Sequence, residues 1–67
     1  MKELKRQLKI YPTLSATMLV GNLITEQDID DLCEAYGLIR CNFTKGFDHY
    51  IKFIKNDQQV TDFNQLF

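Results

Sequence analysis

The chain has no tryptophan, one proline, one histidine, one serine, two cysteines and three glycines among its 67 residues. Each scarcity excludes something. Two cysteines, Cys33 and Cys41, do not make a disulfide framework. With His49 as the one histidine, soft ligands are too few for a structural zinc site, so neither a metal nor a cofactor is expected. Ser15 and His49 stand in no nucleophile motif, and no glycine-rich phosphate loop is present, so the expectation is a protein that is not an enzyme. No apolar run reaches the roughly 18 residues of a membrane span, and no membrane partner is expected. The first stretch, MKELKRQLKIYP, is charged with no apolar block behind it, unlike a signal peptide. Reduced thiols in an intracellular protein, nuclear or cytoplasmic, are the expected setting.

What is present suits one small domain. Apolar residues are 45% and charged residues 25%, ordinary for a globular chain. A chain of this length buries only about 60% of the surface its unfolded form exposes, so its stability margin is narrow. The net charge of −1 hides an uneven distribution. Residues 1–12 carry +3, residues 25–37 carry −5 and residues 38–55 carry +3, with Asp57 and Asp62 in the tail. The basic stretches coincide with predicted strands and the acidic one with a predicted helix, which would set the charges on opposite layers.

Along the chain, Leu4, Leu8 and Tyr11 recur at helical spacing, and Pro12 ends that segment. Thr17–Val20 reads as a strand, punctuated by Gly21-Asn22. Thr25 is a fitting N-cap with a carboxylate three residues on at Asp28. Ile29, Leu32, Cys33 and Tyr36 then share one face, Glu26, Asp30 and Glu34 share another, and Gly37 stands where a C-cap glycine belongs. Residues 38–43 alternate, with Ile39, Cys41 and Phe43 against Arg40 and Asn42, which is a strand pattern. Thr44-Lys45-Gly46 reads as a hairpin turn. Residues 49–54 alternate again, with His49, Ile51 and Phe53 on the inward side and Tyr50 and Lys52 on the outward side. Asn56 or Asp57 caps a last predicted helix whose Val60, Phe63 and Phe67 face inward.

Two stretches in this layout carry a family likeness: TMLVGNL, Thr17 to Leu23, and KGFDHYIKF, Lys45 to Phe53. With the capped helix between them they resemble the first- and third-strand motifs of the RNA recognition motif. Lys45, Gly46, Phe47, Tyr50, Ile51 and Phe53 fit the third-strand pattern once one extra residue is allowed around Asp48 and His49. The minimal loop before that strand resembles the C-type heterogeneous nuclear ribonucleoproteins. The likeness covers residues 16–67, leaving 1–15 as a basic N-terminal segment. It implies an α+β, ferredoxin-like βαββα fold: a three-stranded antiparallel sheet backed by two helices, without the family's fourth strand, after a helical N-terminal segment. Residues 17–20 and 49–54 would then be neighbouring antiparallel strands.

The likeness also implies a function, binding single-stranded RNA on the open sheet face as part of a ribonucleoprotein. Tyr50 would stack a base, joined by Phe47 if a bulge at Asp48-His49 permits. Lys45, Lys52, Arg40 and the basic N-terminal segment would neutralise phosphates, and Leu19 stands where the family's first-strand aromatic belongs. Bland readings accompany each of these residues. Tyrosine suits a half-buried strand for packing alone, lysines and arginines are usually solvated, His49 reads as a core residue, and the acidic helix face reads as a solvated one. Leu19 and the absent fourth strand favour a rival without RNA, a protein-contact or self-association module with a partner or second copy at the edge of the first strand. A third outline is the winged helix, with residues 13–21 helical. Its recognition helix, 25–37, would be acidic and repel DNA. The state of residues 17–20 separates it from the other two.

Overall fold

The computed structural model describes residues 2–67. Its elements run α1 (Lys2–Ile10), β1 (Leu14–Ser15), α2 (Ala16–Gly21), α3 (Glu26–Tyr36), β2 (Ile39–Lys45), β3 (Asp48–Lys55) and β4 (Gln58–Gln59). The α+β class expected from the sequence holds. The order βαββα does not, because residues 17–20 are helical.

Capping explains that outcome. Ser15 is the N-cap of α2, and its Oγ accepts from the Met18 amide at 3.2 Å. At the other end the Asn22 side-chain amide donates to the Met18 carbonyl at 2.9 Å. These bonds satisfy backbone groups a short helix leaves open, and they override the strand preference of Thr17 and Val20. Met18 and Leu19 are half-buried against the core, while Val20 is exposed.

α3 forms as its pattern predicts. Thr25 and Asp28 make the reciprocal capping box, and Gly37 closes the helix at φ 66°. Ile29 and Leu32 are buried, and Cys33 and Tyr36 pack at the core margin. The turn from α2 into α3 holds Leu23 at φ 56°.

β2 and β3 form an antiparallel hairpin in unbroken register from Ile39 opposite Ile54 to Lys45 opposite Asp48. The bulge at Asp48-His49 that would bring Phe47 onto the sheet face is absent. The turn is Gly46-Phe47, with φ 64° at Gly46. Positive φ at the first central residue only is the pattern of a type II′ hairpin turn. β1 pairs with β3 through Leu14 opposite Ile51 and Ser15 opposite Tyr50. The neighbour of residues 50–51 is therefore 14–15, not 17–20.

The C-terminal segment forms no helix. Asn56 and Asp57, at φ 54° and 64°, make a hairpin turn that folds β4 back on β3. Two successive left-handed residues suit a type I′ turn, and both side chains tolerate that conformation. Phe63 is buried as expected and meets Phe53 edge-on, ring centroids 5.9 Å apart. Among the described residues the sheet thus has four strands, with β1 and β4 both on the far side of β3 from β2.

One core joins all of this. Leu4 and Leu8 from α1, Leu14, Ile29, Leu32, Phe53 and Phe63 are fully buried together. The boundary expected between residues 15 and 16 coincides with no break: α1 belongs to the core, and Ser15 both pairs with β3 and caps α2.

Candidate functional site: the outer face of the hairpin

Strand alternation and register decide which side chains share a face. Ile51 and Phe53 are buried, so the inner face of the hairpin carries them and their partners Asn42 and Arg40. The outer face carries Ile39, Cys41, Phe43 and Lys45 from β2 and Asp48, Tyr50, Lys52 and Ile54 from β3. On β3 the division is the predicted one. On β2 it is reversed: the apolar set faces outward, and Arg40, Asn42 and Thr44 face inward.

Phe43 lies opposite Tyr50, and the two rings stack with centroids 5.4 Å apart and planes 19° from parallel. The Lys52 ammonium sits 5.4 Å from the Phe43 ring centre, within cation–π range. The Tyr50 hydroxyl donates a long 3.5 Å bond to the Asp48 carboxylate. Lys45 ends β2 beside this group, and Phe47 occupies the turn, fully exposed. Of the six residues proposed from the sequence, Lys45, Phe47, Tyr50 and Lys52 are thus on the outer face or at the tip of the hairpin. Phe47 reaches solvent through the turn and not through a bulged strand.

The other two are not on that face. Leu19 is in α2, half-buried against the core. Arg40 faces inward and is bound to Glu26 at the start of α3, with a second nitrogen 3.3 Å from the same carboxylate. Its Nε donates to Asn42 at 2.9 Å. These bonds hold the Glu26 carboxyl below the usual glutamate range and raise the already high Arg40 pKa. The residues between hairpin and helices line a cleft of about 290 Å³ with Leu19, Glu26, Arg40, Thr44, His49 and Ile51 on its walls. Arg40 is neutralised there by Glu26, so the cleft is no phosphate groove. His49 points to this inner side as predicted, but near the hairpin tip it is exposed and not in the core.

Two of the N-terminal cations are also engaged. Arg6 pairs with Glu3 at 2.6 Å. Lys5 lies over the rings of Tyr36 and Phe67, at 5.0 and 5.5 Å from their centres. α3 exposes Glu26, Asp30, Asp31 and Glu34. Among the described residues no group of His, Cys, Asp and Glu side chains could hold a metal ion, both cysteines are free thiols, and no helix is long and apolar enough to cross a membrane.

Sequence reasoning missed Phe43. Its role depends on register, and the signal was available: a two-residue Gly46-Phe47 turn places residue 43 opposite residue 50. The chain matches no protein-family model, no curated protein and no solved structure.

Proposed function

We propose that this is a non-catalytic binding module of winged-helix outline that takes single-stranded nucleic acid, RNA first, on the outer face of its wing, the β2–β3 hairpin. The order helix, strand, two helices, hairpin supports the outline. The observation that carries the function is the Phe43–Tyr50 stack flanked by Lys52 and Lys45. Aromatic faces stack any base, and lysines beside them meet the phosphates. The acidic face of α3 opposes the use of that helix on nucleic acid, so the hairpin and not the helix is assigned the contact.

Titration with short single-stranded oligonucleotides, followed by amide and ring chemical shifts, tests this. Shifts are expected at Phe43, Lys45, Phe47, Tyr50 and Lys52, with Asp30, Asp31 and Glu34 unmoved. Tyr50→Ala should cost about 1–3 kcal/mol of binding, the worth of one base stack. Lys52→Ala should weaken all sequences alike and lower the salt slope by about 0.7. Arg40→Ala should leave binding unchanged. Silence with both pyrimidine-rich and purine-rich strands would overturn the reading. It would move the function to protein contact, which the outward Ile39 and the fully exposed Phe47 favour.

A further inference from the structure

A sheet edge is a template for another strand unless something blunts it. β3 has both edges occupied, by β2 on one side and by β1 and β4 on the other. Among the described residues β2 pairs only with β3. Its free edge is seven residues long, without proline and in unbroken register. Its charges stand at or near the ends, Arg40 and Lys45. The centre, Cys41-Asn42-Phe43-Thr44, is uncharged, and Arg40, toward one end, is already neutralised by Glu26.

The hairpin turn fixes which backbone groups face outward. A two-residue turn makes Lys45 and Asp48 a hydrogen-bonded pair. Alternation then turns Phe43, Cys41 and Ile39 toward β3 and leaves the amides and carbonyls of Thr44, Asn42 and Arg40 on the free edge. We propose that this edge binds the same edge of a second copy of the chain, antiparallel, about a two-fold axis at Asn42.

In that register the outward groups of Asn42 meet those of the second Asn42, and those of Arg40 meet those of Thr44 in both directions. Every outward group on the edge has a partner. The charges agree as well. Arg40 lies opposite Thr44 and Lys45 opposite Ile39, so no like charges face each other, whereas a parallel in-register pairing would oppose Lys45 to Lys45. On the outer face Cys41 lies opposite Phe43 of the second copy, which continues the outward apolar set across the axis. The contact is isologous, so it closes at two copies and does not propagate. It stands independently of any nucleic-acid ligand.

Amide hydrogen exchange on the whole chain, thiols kept reduced, at low and high protein concentration, with mass followed by sedimentation, tests the register. The amides of Arg40, Asn42 and Thr44 should gain protection as concentration rises, while those of Cys41 and Phe43 are protected throughout. Asn42→Pro removes an outward donor and should give a monomer that keeps the Cys41 and Phe43 protection. Should that variant unfold, the exposed position 39 supplies a second test. Ile39→Lys opposes Lys45 of the second copy and should weaken the dimer, Ile39→Glu should strengthen it, each by a few-fold to about tenfold for two cross-strand pairs. A monomer at every concentration overturns the proposal. So does a dimer in which the amides of 40, 42 and 44 exchange at an unchanged rate.

Discussion

Leu23 bears two costs at once: its φ is 56° and the residue is 88% exposed. The left-handed region costs an L-residue with a Cβ about 1–2 kcal/mol, and glycine escapes that cost while losing roughly 0.5–1 kcal/mol through a freer unfolded chain. Leu23→Gly is therefore expected to stabilise by up to about 1.5 kcal/mol. In a domain this small that would raise the melting temperature by about 4–8 °C per kcal/mol. Gly37, at φ 66°, is the opposite case. A Cβ there would meet no neighbouring atom, so the loss of about 1 kcal/mol expected for Gly37→Ala comes from the backbone alone. Thermal melts of both variants check the pair, and shifts of the same sign would sink this account of the two turns.

Among the elements, α3 was legible because its signals are local: the capping box at Thr25, the apolar spacing from Ile29 to Tyr36, and Gly37. Thr25→Ala should cost about 0.5–2 kcal/mol, measured by denaturant unfolding. α2 was misread because Thr17 and Val20 suit a strand, while the cap that decides the matter lies just before them, at Ser15. Asn56-Asp57 was misread because the same residue types cap helices and make I′ turns. The candidate site was legible on β3, where alternation alone turns Tyr50 and Lys52 outward. It was not legible on β2, whose facing is set by register with β3 and not by its own apolar pattern. The tie between α3 and β2 yields a pH prediction. Arg40 holds the folded-state pKa of Glu26 down, so the ion pair's contribution is present above the unfolded glutamate value and is lost as pH falls through the folded one. A carboxyl titration by NMR should place Glu26 below an ordinary glutamate, and Arg40→Ala should return it there. Equal midpoints in the two proteins would remove Arg40 as the cause.

At the scale of the whole molecule, the core decides whether the N-terminal helix is an appendage or a structural part. Leu4 and Leu8 are as deeply buried as Ile29 and Leu32, and they share one cluster with Phe53 and Phe63. The Lys5 contact with Tyr36 and Phe67 ties α1 to the end of α3 and to the last residue. A 67-residue chain has roughly 3–10 kcal/mol of total stability, and emptying a fully buried leucine site costs about 2–5 kcal/mol. Leu8→Ala should then consume a large part of the whole. Because α1 and the hairpin share that core, the loss should appear everywhere at once. Heating the variant should melt helix signals and the amides of Phe43 and Tyr50 in a single transition, well below the parent's. An appended helix would behave otherwise: α1 would fray first, and the hairpin amides would melt at the parent's temperature. That second pattern would restore a boundary near residue 15, which the burial of Leu4 and Leu8 argues against.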